Sequence, residues 1–222
     1  ADERIPATIS LMQNDSILIR LPDFDAEIHT SNFGELLIGE FFNLSRKEIN
    51  VITFRASANT SYRFSDRPEK TSTNITGKWK AKFDGEDDEN KYCVGLFNQE
   101  GNRVTGTFLT NTGDYRFLEG EISGMHLSLS AFDGAHSFLF IADVINNEIK
   151  NGHFFSGLHW HDTWSAVRDS SFNLNDERSF SHLKEGYSKL EFSFPDVNGK
   201  MVSLADSEFK NKVVIVQIMG SW

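Results

Sequence analysis

The chain of 222 residues contains a single cysteine, Cys93. One cysteine excludes an internal disulfide, a Cys-x-x-Cys pair and a cysteine zinc site within these residues. Basic residues are in deficit, with 22 Lys and Arg against 32 Asp and Glu and a net charge of −10. No basic stripe relieves that deficit, so nucleic acid is excluded as a partner on charge. Long apolar runs are missing too. The longest, Val213–Val216 and Phe138–Ala142, fall far short of a membrane span, so no transmembrane segment is expected. No signal peptide is present and the first residue is Ala1, not Met. There is no Ser-His-Asp order, no P-loop and no Gly-rich dinucleotide fingerprint. Apolar residues rarely recur at helical spacing.

What is there points to strands. The chain holds 20 Phe and 16 Gly, and many Thr, Ile and Val. Short alternating runs recur between Asn, Gly and Asp turns. Over residues 77–168 the pattern predicts eight strands: 78–83, 92–98, 104–109, 115–122, 125–129, 137–144, 149–155 and 163–168. Eight sequential strands with one apolar face leave two open edges unless they close, which predicts an up-and-down barrel. Gly77-Lys78-Trp79 on the first strand and Arg168 on the last resemble the calycin group, lipocalins and avidins. The resemblance implies that Trp79 closes one barrel end with Arg168 packed across its ring, a favourable cation–π arrangement. An antiparallel sandwich with a buried Trp is the alternative.

Residues 1–56 read as a second copy of the same module. Ile19-Arg20-Leu21-Pro22-Asp23-Phe24-Asp25 matches Leu127-Ser128-Leu129-Ser130-Ala131-Phe132-Asp133, and Gly39-Glu40-Phe41-Phe42 matches Gly152-His153-Phe154-Phe155. Thirteen residues beyond each final Phe stands an arginine, Arg55 and Arg168. This is an internal repeat whose first copy lacks roughly thirty residues at its front. Residues 57–76 and 169–188 are polar and read as linkers, the second with a short helix near Asp176–Glu185.

From residue 189 the texture changes. Phe192–Lys200 predicts strand, turn, strand; Asp206–Asn211 predicts a helical turn; Val213–Met219 predicts a buried central strand followed by Gly220-Ser221-Trp222. The run Phe-x-Phe-x-Asp-x-x-Gly-Lys-x-Val-x-Leu, then Phe-Lys-x-Lys-Val-Val-Ile-Val, then Gly-Ser-Trp resembles the opening of TlpA/ResA-like thioredoxin-fold proteins of the redoxin, or AhpC/TSA, group. The Gly-Lys-Trp and Thr-Gly-Asp-Tyr-Arg segments resemble the β-rich N-terminal region that some bacterial members carry. The resemblance implies a Cys-x-x-Cys directly after Trp222, in a longer protein of the bacterial envelope or periplasm that exchanges disulfides with a protein partner. Trp222 would then flank the attack surface. The chemistry rests on a thiolate at a helix N-terminus, its pKa lowered from about 8.5 toward 7, attacking a disulfide.

No catalytic residue is expected within the chain, and no cofactor. Cys93 reads as a small buried hydrophobe. His159-Trp160-His161, with His153 nearby, lacks a partner acid and reads as an exposed hairpin rather than a metal site. Asp25 and Asp133 read as turn-capping carboxylates. The acidic stretch Asp84–Asn90 reads as a solvated turn, without the spacing for calcium. Asn43, Asn59 and Asn74 stand in Asn-x-Ser/Thr sites, relevant only to a eukaryotic secreted protein. The expected fold is mainly β: two tandem antiparallel barrel-like repeats, the first incomplete, then the opening strands of a thioredoxin-like α/β domain. The alternative function is a calycin-like barrel that binds a small apolar ligand or a partner protein.

Overall fold

A computed structural model describes residues 4–44, 51–86, 91–111, 113–174 and 183–216. The chain divides into two compact units, residues 1–175 and 176–222. The first unit opens with a five-stranded antiparallel sheet whose spatial order follows the chain: β1 (Thr8–Leu11), β2 (Ser16–Leu21), β3 (Ala26–Asn32), β4 (Leu36–Asn43) and β5 (Val51–Ser57). A second sheet follows: β6 (Gly77–Phe83), β7 (Tyr92–Glu100), β8 (Arg103–Thr110), the two-residue β9 (Gly113–Asp114), β10 (Leu118–Ser123), β11 (His126–Phe132), β12 (Ser137–Ile145), β13 (Glu148–Ser156) and β14 (Trp160–Arg168). β14 pairs back to β6, with Arg168 opposite Trp79, and β8 pairs with β10, with Gly106 opposite Leu118. These two ladders close an eight-stranded antiparallel barrel, with β9 appended to β8 outside the ring. Closure rules out the sandwich.

Inward-facing side chains, alternating along the strands, fill the barrel, with register shifts between Ile141 and Asp143 and between Ile149 and Gly152. Trp79, Phe108, Leu118, Ile122, Leu127, Leu129, Phe140, Ile149 and Trp164 are fully buried. One half of the interior is aliphatic around Val104, Ile122, Leu127 and Ile149. The other is an aromatic cluster in which Phe140 stacks on Phe154 at 4.4 Å and Phe108 meets Trp164 edge-on at 5.1 Å. Each such side chain contributes about 1.5–3 kcal/mol on burial, and this is the main term holding the ring shut.

The structure departs from the sequence expectations in four places. First, the strand expected from Tyr115 begins at Leu118. Arg116 sits at φ 59, and the Asp114 carboxylate accepts its backbone N–H at 2.7 Å, so the chain turns before the strand starts. Second, the Arg55–Arg168 match is not a structural equivalence. Gly39 pairs with Phe54 as Gly152 pairs with Trp164. Arg55, which is paired with Ile38, therefore lies on the opposite face from that aromatic row, whereas Arg168 shares the row of Trp164. Extra residues between β4 and β5 shift the register. Third, part of the expected linker is fixed across a barrel end. The Gln99 side chain accepts the Ile75 N–H and donates to the Thr73 carbonyl, and Ile75 is fully buried beside Trp79. Fourth, in the second unit β15 (Ser193–Pro195) and β16 (Met201–Ser203) form a hairpin, and Ser207–Phe209 makes one 3-10 turn. Val213–Val216 forms no strand, and Val213 and Ile215 are about fully exposed at 95% and 90%. A buried central strand needs hydrogen-bonding neighbours on both sides, and no described residue supplies them. The short helix expected near Asp176–Glu185 falls mostly outside the described residues, and Leu183–Glu185 is not helical. Among the described residues no helix is long and apolar enough to cross a membrane.

Candidate functional site

One end of the barrel is sealed by the residues that the sequence singles out. Trp79 is fully buried and its indole N–H donates to the Ile75 carbonyl at 2.8 Å. The Arg168 guanidinium lies 4.5 Å above the ring centroid. Its nitrogens donate to the carbonyls of Thr76 at 2.6 Å and Asn74 at 2.7 Å, and to the Asn147 side chain at 3.1 Å. The indole N–H and all three guanidinium nitrogens are engaged in structural bonds, so this end is a plug.

The opposite end carries Tyr115 across its mouth, edge-on to Phe138, Phe140 and Phe154 at 5.2–5.4 Å. Burial, then the nearby Cys93, Glu86 and Asp162, pushes the Tyr115 phenol up to about 12. A cleft of about 410 Å³ opens here beside Phe83, Glu86, Cys93 and Phe138. Asp162 is a buried carboxylate with no motif around it. It accepts the N–H of Gly85 at 2.8 Å and of Thr163 at 2.7 Å and so anchors the turn at the rim. Its signal in the sequence is an acid at an inward position, two residues before Trp164. The aromatic cluster behind Tyr115 occupies the interior, so an apolar ligand finds the lumen already taken by side chains.

Cys93 is 1% exposed, and burial pushes its thiol up to about 12. A thiolate is the reactive form, so burial and the raised pKa both work against redox exchange by this sulfur at neutral pH. At pH 8, iodoacetamide should label the native chain on the order of 10³-fold more slowly than the urea-unfolded chain. Equal rates would place Cys93 outside the barrel wall.

The histidines split. His159 stands in the β13–β14 turn, while His161 lies on β14 and meets His153 of β13, ring nitrogen to ring nitrogen at 3.0 Å. Phe155 stacks on His161 at 4.7 Å. Among the described residues no three His, Cys, Asp or Glu side chains gather into a metal-holding group. Asp133 caps its turn, accepting the N–H of Ala135 at 2.8 Å and of His136 at 2.6 Å and pairing with the His136 ring at 3.0 Å. Burial opposes its charge, but the two backbone donors and then the ring outweigh it and hold the carboxyl below its ordinary range. Asp25 turns the chain through its backbone instead, at φ 48, with its carbonyl accepting the Leu44 N–H at 2.9 Å. Of the acidic stretch, Asp84–Glu86 is a bend. Its remaining residues from Asp87 to Asn90, like Gly220, Ser221 and Trp222, lie outside the described residues. Asn43 is buried and donates to the Ala135 carbonyl at 3.3 Å, which leaves no room for a glycan.

A larger groove of about 1050 Å³ runs over the outer barrel wall. The register places its floor. Lys78, Leu96 and Thr107 are cross-strand neighbours in one row, and Asn98, Thr105, Glu119 and Ser130 in the next. Arg4 and Ile5 from the N-terminal segment and Arg63 from the connector complete the walls. No sequence cue links these cations, because they come from three separate segments.

Comparison with known proteins finds no matching family model, no similar curated protein and no similar solved structure.

Proposed function

We propose that this chain is the β-rich N-terminal region and the opening of the redoxin domain of a TlpA-like thiol–disulfide oxidoreductase. The parent exchanges disulfides with a protein partner in a bacterial envelope, through a Cys-x-x-Cys directly after Trp222. The barrel is a rigid accessory module. The observation that carries this reading is the C-terminal segment with its specific residue run. The hairpin turn between β15 and β16 is held by Asp196, whose carboxylate accepts the N–H of Asn198 at 2.8 Å and of Lys200 at 2.9 Å. One 3-10 turn then precedes the apolar run. The resemblance implies a hairpin and a helical turn in this order, followed by a central strand that Val213–Val216 does not form.

The test is the natural gene read through codon 222, with the longer product assayed for insulin reduction. We expect two cysteines spaced Cys-x-x-Cys within the next few codons, turnover by the longer protein, none by the present chain, and loss on changing both cysteines to serine. A stop codon, or a continuation without cysteines, sinks the reading.

A further inference from the structure

The groove on the outer barrel wall joins cations from three separate segments. Its volume, about 1050 Å³, is at the upper end of small-molecule sites. Three cations line it, Arg4, Arg63 and Lys78, in a chain whose net charge is −10. Its one acid, Glu119, is engaged by Arg103 at 2.8 Å. Lys78 donates to Asn173 at 2.7 Å and Arg63 to Ser130 at 3.0 Å, both neutral acceptors. Among the described residues no carboxylate pairs with any of the three. Three cations against one carboxylate leave the groove's described lining net positive in a chain whose overall charge is negative.

The same groove gathers exposed apolar side chains. Phe117 is 65% exposed, and Leu96 and Phe132 are each 38% exposed. Ile5 of the N-terminal segment and the buried Leu21 of β2 also line it. Threonine and serine hydroxyls, at Thr105, Thr107 and Ser130, lie between the cations. Lys78 on β6 and Ser130 on β11 are separated by four strand steps around the wall (β6, β7, β8, β10, β11), about 19 Å at the usual interstrand spacing. The cavity is thus elongated, with Lys78 toward one end, Arg63 on Ser130 toward the other, and a mixed floor of apolar and hydroxyl side chains between them.

We propose that this groove binds a small amphipathic carboxylate, an acyl chain lying along the wall with its head group on Arg63 or Lys78. The inference does not depend on the redox reading, whose assay measures thiol turnover and not ligand binding. The probe is dodecanoate, titrated calorimetrically into the full chain and compared with dodecyltrimethylammonium, a cation of the same chain length. The bulk charge favours the cation, so preference for the anion has to come from local groups. We expect one dodecanoate per chain, held at least tenfold more tightly than the cation, and a further tenfold weakening in Arg63→Gln/Lys78→Gln. Both side chains are on the surface, so the fold should survive; an unchanged circular dichroism spectrum checks this. The single variant Arg63→Gln, expected to weaken binding about threefold, serves if the double variant misfolds. Equal binding of the two probes, or unchanged dodecanoate affinity in the folded variants, would overturn the proposal.

Discussion

Trp79→Ala is expected to destabilise the barrel by about 3–5 kcal/mol, the cost of emptying a fully buried indole site. Three losses converge there. The ring fills the sealed end, its N–H satisfies the Ile75 carbonyl, and its face supports the Arg168 guanidinium. Ile75 and the Gln99 bonds that pin the connector depend on the same plug. Arg168→Ala should cost less, about 1 kcal/mol, because the carbonyls of Asn74 and Thr76 are then open to water. Trp79→Phe keeps an aromatic face under Arg168 but leaves the Ile75 carbonyl unpaired, which should cost about 1–3 kcal/mol. Urea unfolding followed by circular dichroism measures all three. A cost below about 1 kcal/mol for Trp79→Ala would mean that this end is not a plug.

The barrel was legible in the sequence because its information is local. Each strand is short and alternates, and each turn carries Gly, Asn or Asp, as at Glu100–Asn102 or Asn146-Asn147, where both asparagines adopt positive φ. Closure followed from strand count and edge avoidance. What was not legible depends on register and on assembly. Arg55 and Arg168 matched by residue type and spacing, yet loop length between strands decides which face a residue takes, and a shift by an odd number of residues inverts it. Arg116 gives no warning of its left-handed backbone, so alternation alone starts β10 at Tyr115 and not at Leu118. The polar connector read as a tether, but polar residues also make the side-chain bonds that hold Ile75 in place. The run from Val213 carries the apolarity of a central strand but no information about which neighbours cover it. The groove cations, Arg4, Arg63 and Lys78, become neighbours only after the N-terminal segment and connector fold over the wall.

The second large effect concerns Gly120→Ala, expected to cost about 3 kcal/mol for the addition of one methyl group. Gly120 lies on β10, the strand that completes the ring, paired with Val104 of β8 on one side and Leu129 of β11 on the other. Its backbone dihedral is an ordinary one, so alanine suffers no conformational penalty. The obstacle is space. A Cβ there would sit well inside van der Waals contact of the Ser128 carbonyl oxygen and 2.9 Å from the Phe64 ring. The carbonyl belongs to the neighbouring strand and cannot turn aside without breaking the ladder, so β10 must move away from β11. Gly101 supplies the control. It has φ 62 with nothing within 4 Å of its would-be Cβ, so Gly101→Ala should cost only about 1 kcal/mol, from conformation alone, and Gly101→Asn less. Thermal unfolding of the three variants ranks the two causes directly. If Gly120→Ala is no worse than Gly101→Ala, the β10–β11 ladder has slack, and the barrel is held shut by its core and not by the fit of this seam.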